Sequence, residues 1–132
     1  QVPLTGAVVV TTPQDIALID AKKGLRMFQK VNVPILGIIE NMSVFICPHC
    51  GEVEHIFGEG GAKRMSEQYG VPLLGELPLS AKIREQADSG LPTVAAEEAL
   101  MYREMAMKVA GALARITKDY TAKMPGIRVV ND

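Results

Sequence analysis

Three short apolar runs, each followed by a stretch of helical periodicity, set the frame of this 132-residue chain. Gly6-Ala-Val-Val-Val-Thr-Thr12 is β-branched and does not alternate, the pattern of a strand covered on both faces. Thr12-Pro-Gln-Asp15 reads as a helix start, with Thr12 as cap, Pro13 in the first helical position and Asp15 as the capping-box acid. Leu18, Ala21, Leu25 and Phe28 then fall on one helical face, and Asn32-Val-Pro34 breaks the helix. Ile35-Leu-Gly-Ile-Ile39 predicts a second buried strand, ending at Glu40-Asn41. Gly58-Glu-Gly-Gly61 leads into a helix carrying Ala62, Met65 and Tyr69, which Gly70 ends. Leu73-Leu-Gly-Glu-Leu77 predicts a third strand, closed by Pro78, and Ser80 caps a short helix that stops at Gly90-Leu-Pro92. A last helix places Tyr102, Met105, Ala106, Val109, Leu113 and Ile116 on one face. After about Lys118 the text turns polar and breaks at Pro125-Gly126, which predicts a loose tail or a small strand at Ile127–Val130.

Strand and helix alternate, so the expected fold class is α/β: an open parallel sheet with flanking helices and right-handed crossovers. The expected organisation is one domain over residues 1–118, an insertion at 42–58 and a tail at 119–132. Three doubly covered strands make a thin sheet. The chain also starts without a methionine, almost directly before a strand. Both features carry the expectation of a piece of a longer domain, with an exposed edge or apolar face that some association covers.

Composition narrows the function classes. A net charge of −1 gives no general attraction to nucleic acid or an anionic membrane. No apolar run reaches the roughly 20 residues of a transmembrane helix. Two cysteines do not make a disulfide-stapled secreted scaffold, so a reducing, cytoplasmic setting is expected.

Those two cysteines carry the chemistry. Cys47-Pro-His-Cys50-Gly51 is a tight turn that aims two thiols at one point, with glycine freeing the backbone behind them. The pair reads as two free thiols, as a redox couple or as half of a metal site. A redox couple wants its first cysteine at a helix N-terminus, whereas here β-branched residues and Glu52 and Glu54 follow, and acids raise a thiol pKa. For a metal, His49 and His55 are the only other soft ligands in the chain. His49 lies inside the turn and His55 in an arm, so four ligands within one chain are not expected. Two knuckles across a two-fold axis supply four thiolates, enough for zinc or an iron–sulfur cluster. Spacing leaves that choice open.

Two weaker signals remain. Gly58-Glu-Gly-Gly-Ala-Lys63 precedes a helix and could hold an anion, although a hinge and helix start explain it as well; the phosphate-loop pattern itself is absent. Asn41 and Pro78 each follow a strand's C-terminal end, where open α/β sheets bind ligands. Asn41 has the donor and acceptor to meet a purine edge, and asparagine is also an ordinary turn residue.

Taken together and in order, Thr11-Thr-Pro-Gln-Asp-Ile-Ala-Leu18, Gly37-Ile-Ile-Glu-Asn-Met-Ser43, the Cys47/Cys50 knuckle, His55-Ile-Phe-Gly-Glu-Gly-Gly61 and Leu74-Gly-Glu-Leu-Pro-Leu79 resemble the Mrp (ApbC-like) family of iron–sulfur cluster carrier P-loop ATPases. The resemblance runs through nearly the whole chain and reaches only the C-terminal half of the family's SIMIBI-type domain. It places the phosphate loop, its lysines and the switch segments upstream of Gln1. It implies that Cys47 and Cys50 bridge a 4Fe-4S cluster across a homodimer, that Asn41 helps hold adenine and that Pro78 lies on the other side of the base. It implies a structural role for Asp15. It also implies ATP as the nucleotide of the full-length protein and apo iron–sulfur proteins as recipients of the cluster. Without the phosphate loop, ATP hydrolysis by this chain alone is not implied.

Overall fold

The computed structural model describes residues 4–91 and 99–116. Its elements run β1 (Ala7–Thr11), α1 (Asp15–Lys30), β2 (Ile35–Glu40), β3 (Phe45–Ile46), β4 (Val53–Glu54), α2 (Gly61–Tyr69), β5 (Leu73–Glu76), α3 (Ala81–Asp88) and α4 (Ala99–Ala114). The three apolar runs form one parallel sheet in the order β1-β2-β5. Helices α1 and α2 pack against each other, α1 also against β1 and β2 and α2 against β2 and β5, while α4 lies against β2 and β5. The fold class is therefore α/β with a parallel sheet and flanking helices, as the strand–helix alternation requires.

The core is aliphatic. Val9, Leu18, Leu25, Ile38, Ala62, Met65 and Val71 form its buried cluster, with Ala21, Ile35, Tyr69 and Leu73 packed around it. Among the described residues β1 stands at one edge of the sheet, and Val10 on it is 59% exposed, so the face from which it points is uncovered there.

Local details depart from the sequence reading in three places. Helix α1 starts at Asp15, with Gln14 at the N-cap and no side-chain cap bond; Thr12 Oγ1 donates to Gln14 Oε1 at 2.9 Å instead. On α4, Met105 is buried and Tyr102 and Val109 half-buried, while Ala106 and Leu113 face out and Ile116 lies past the helix end. The inward stripe is narrower than expected because, among the described residues, this helix meets the sheet mainly at β2 and β5. Finally, β3 and β4 pair as a small antiparallel hairpin where the sequence reading placed only an extended arm. Ser80 does cap α3, accepting from the Ile83 amide at 3.5 Å. The Pro92 stop, the domain end at residue 118, the tail at 119–132, the Pro125-Gly126 break and the strand at Ile127–Val130 lie outside the described residues.

Candidate functional site

The cysteine knuckle is the tip of the β3–β4 hairpin. Phe45 pairs with Glu54 and Ile46 with Val53. Beyond them the Cys47 amide donates to the Glu52 carbonyl at 2.9 Å, and the Gly51 amide donates back to the Cys47 carbonyl at 2.9 Å. Gly51 sits at φ +74°, a left-handed conformation that closes the four-residue turn and that a side chain would strain. Cys47 is half-buried, Cys50 is exposed, and the two are free thiols.

The turn also sets the electrostatics of Cys47. Its sulfur accepts from the Cys50 backbone amide first, then from the His49 amide and the Cys50 thiol, and these donors hold its pKa below the ordinary thiol value. Desolvation and the Glu54 carboxylate push the other way and lose. Of the two acids that argued against a depressed thiol pKa, Glu54 acts on Cys47 and is outweighed by the amides. The layout of a dithiol redox enzyme is still missing, since the knuckle sits on a hairpin and the next helix begins only at Gly61.

Among the described residues His55 completes no metal site: no three His, Cys, Asp or Glu side chains gather closely enough to hold an ion. The His55 ring faces the base of the hairpin: Nδ1 donates to the Ser43 carbonyl at 3.2 Å, and Nε2 lies 3.9 Å from Glu59 Oε1. That bond ties the residue after β4 to the segment before β3, so it clamps the hairpin neck.

Asn41 and Pro78 come together at the C-terminal ends of β2 and β5. The Asn41 amide donates to the Thr11 carbonyl at 2.7 Å, and Asn41 Oδ1 accepts from the Met42 amide at 3.0 Å. The Leu77 amide donates to the Glu40 carbonyl at 2.8 Å, and the Leu79 amide donates to the Val44 carbonyl at 2.8 Å. Pro78 lies between those two links. The ladder continues into the hairpin, because Phe45 bridges to Leu79. The strand ends that carry Asn41 and Pro78 thus also carry the cysteine knuckle.

Two residues of this junction escaped the sequence reading. Ser43 is buried, and both its amide (2.9 Å) and its hydroxyl (3.1 Å) donate to the Leu77 carbonyl. A lone serine after a strand end gives no warning of that. Glu40 is 1% exposed, and its Oε2 accepts from the Ala62 amide at 2.6 Å. The signal for it was present, since an acid closing an otherwise apolar strand needs a buried partner. Its side chain thus takes one amide of the first turn of α2, at the end of the glycine-rich segment.

Comparison with known proteins gives a consistent set of similarities. A ParA family model described as NUBPL iron-transfer P-loop NTPase matches residues 1–114. An iron-sulfur cluster carrier protein of Pseudomonas fragi is 56% identical over 111 residues, covering 81% of this chain and 39% of that protein. The protein of that name in Escherichia coli K12 is 58% identical over 116 residues, covering 85% of this chain and 31% of its own length. The iron-sulfur cluster transfer protein NUBPL of Dictyostelium discoideum is 47% identical over 123 residues, covering 90% of this chain and 38% of that protein. The chain thus spans well under half the length of these relatives. A nucleotide-binding protein from Archaeoglobus fulgidus, solved in complex with ADP, superposes with a TM-score of 0.57 at 36% identity, over 65% of this chain and 35% of that one.

Proposed function

The chain belongs to the NUBPL iron-transfer P-loop NTPase family, and from that premise we propose that it is the cluster-holding part of a cytoplasmic iron–sulfur carrier. The cargo is an iron–sulfur cluster of the 4Fe-4S type, held by Cys47 and Cys50 together with the same pair from a second copy. Apo iron–sulfur proteins receive it. The observation that carries the reading is the presentation of two unpaired thiols at an open hairpin tip, with backbone amides directed at the Cys47 sulfur.

The geometry suits a carrier more than a permanent centre. The amides favour the thiolate, the form that binds metal. The chain's share of the ligands is two, so a bound cluster depends on two copies staying together and leaves when they part. Cys50 is exposed, so a recipient's thiolates can reach the same irons. No helix among the described residues is long and apolar enough to cross a membrane.

Asn41 and Pro78 are proposed to flank the adenine of ATP in the full-length protein, where hydrolysis supports transfer. The hydrogen-bonded ladder from Glu40 and Leu77 to Val44 and Leu79 gives the two sites a common mechanical base.

Anaerobic reconstitution with iron and sulfide tests the proposal. The expected product is brown, with four irons and four sulfides per dimer, and is lost in Cys47→Ala and Cys50→Ala. A Cys47→Ala protein that holds the same cluster would overturn it. Zinc in anaerobically purified protein that no iron source displaces would instead assign the knuckle to a structural zinc clip.

A further inference from the structure

The two strands of the cysteine hairpin are held unequally. β3 is fixed to the sheet end: the Leu79 amide donates to the Val44 carbonyl, Phe45 bridges to Leu79, and Ser43 is buried against the Leu77 carbonyl. Among the described residues β4 pairs with β3 alone, and residues 52–56 are all exposed, so no core packing fixes that strand. Cys47 directly follows β3, and Cys50 lies on the return towards β4. The relative placement of the two thiols therefore depends on the rungs between the strands.

Those rungs are few. The Cys47 amide bond to the Glu52 carbonyl and the strand register make Cys47–Glu52 and Phe45–Glu54 the hydrogen-bonded pairs. By the same alternation the next bonded pair would join Ser43 and Ile56. It does not form between backbones, because the chain turns away, with the Gly58 amide donating to the His55 carbonyl at 3.1 Å. The His55 side chain supplies the missing donor instead: its Nδ1 reaches the Ser43 carbonyl at 3.2 Å. A side chain thus closes the third rung of a hairpin that has two backbone ones, and a two-stranded hairpin is marginal in water on its own.

We infer that His55 is a positioning residue of the cluster site: its imidazole completes the hairpin ladder and so keeps the Cys50 side of the knuckle in register with the Cys47 side. The inference rests on the proposed role of Cys47 and Cys50 as cluster ligands. His55 acts as a donor to Ser43 and not as a metal ligand. The acceptor is itself fixed, since the Ser43 amide and hydroxyl both donate to the Leu77 carbonyl, at 2.9 and 3.1 Å. The other ring edge contributes little, because Nε2 lies 3.9 Å from the exposed Glu59 Oε1, beyond hydrogen-bond length and in solvent. Without the imidazole the strands are joined by the two backbone rungs alone and separate more often, starting from the neck. Each separation lets the Cys50 side move off the Cys47 side, and a metal bound by both thiols loses one of them.

The test uses the full-length protein with and without its cluster. In the cluster-free form, hydrogen–deuterium exchange read by mass spectrometry compares the hairpin at residues 44–54 with β1 and α1. After anaerobic reconstitution, the rate at which a ferrous chelator bleaches the cluster measures retention. His55→Ala is expected to speed hairpin exchange about threefold or more and bleaching by a similar factor, with β1 and α1 unchanged. His55→Asn sets an amide NH2 where Nδ1 lies and is expected to stay within about twofold of the parent. His55→Gln, whose amide reaches the Nε2 position instead, is expected to behave like His55→Ala. Glu59→Gln is expected to change neither readout. A role through bulk alone would favour glutamine over the smaller asparagine, so the order of these two variants separates donor from filler. Unchanged exchange and bleaching in His55→Ala would overturn the inference, and so would a glutamine variant that retains the cluster better than the asparagine one. Faster exchange in β1 and α1 as well would overturn it in favour of a general stabilising role. Cys47→Ala, measured alongside, separates the levels. Loss of the cluster there with unchanged bleaching in His55→Ala refutes the positioning role alone, and retention removes the carrier reading together with this inference.

Discussion

Glu40 Oε2 accepts a 2.6 Å hydrogen bond from the Ala62 amide, joining the end of β2 to the first turn of α2 across 22 residues. Between the two lies the whole excursion that carries the cysteines. The bond closes it at its base, and the His55–Ser43 bond at 3.2 Å closes it again at the neck. The hairpin is therefore a tethered loop on a rigid sheet end, able to present two thiols with little core of its own.

Glu40→Ala is expected to destabilise the fold by ~2–3 kcal/mol, because it strips a buried amide of a charged acceptor. Glu40→Gln keeps an acceptor oxygen and should lose less than half of that. Urea unfolding followed by circular dichroism measures both; equal losses would mean that the carboxylate's charge, and not an acceptor oxygen alone, holds the Ala62 amide.

Two glycines should respond in opposite senses to alanine. A Cβ on Gly61 would lie 2.7 Å from the Pro13 carbonyl oxygen and 2.8 Å from Leu18 Cδ1, so backbone has to move and ~1–3 kcal/mol is lost despite alanine's better helix propensity. A Cβ on Gly24, within α1, meets nothing within 4 Å, and Gly24→Ala should stabilise this chain by ~0.5–1 kcal/mol. Thermal unfolding midpoints of the two variants should move apart around the parent value.

What was legible in the sequence follows from which signals are periodic. The apolar runs at Val8–Val10, Ile35–Ile39 and Leu73–Leu74 and the stripe Leu18–Leu25 repeat a pattern, so the sheet and helix order could be read from them. The knuckle was legible because paired cysteines in an otherwise cysteine-free chain have few uses. The hairpin was not, since two-residue strands carry too little alternation to register. Nor was the depressed Cys47 pKa, which comes from backbone amides that every sequence possesses and only a turn can aim. Thr12 failed as a cap because the helix begins at Asp15 with Gln14 as its N-cap, and the Thr12 hydroxyl donates to Gln14 Oε1.

Asn41 separates a local role from a ligand role. Its Oδ1 holds the Met42 amide at 3.0 Å, and Met42 sits at φ 55°, so the carboxamide oxygen supports a strained turn. Asn41→Asp keeps that acceptor and removes the NH2 donor. In the full-length protein it should fold normally and bind adenine nucleotides about tenfold or more weakly, because a polar edge of the base is left unpaired. Calorimetric titration with ADP checks this; unchanged affinity would confine Asn41 to the turn.

Cys47 should ionise at a lower pH in the folded chain than in the unfolded one, and the sign can be read from its surroundings. The Cys50 amide, the largest contributor, and the His49 amide donate to the sulfur and favour the negative thiolate, so the folded pKa is depressed. For such a group the folded state holds fewer protons than the unfolded state between the two pKa values. The associated stabilisation is complete above the unfolded pKa and disappears as pH falls through the folded one. Because the amides belong to the turn, unfolding removes the effect. Iodoacetamide labelling of Cys47, read by mass spectrometry across pH, should show a midpoint below the ordinary thiol range in buffer and a return upward in concentrated urea. Identical midpoints in the two conditions would mean that the turn does not direct its amides at the sulfur, and the thiol would then bind metal without that advantage.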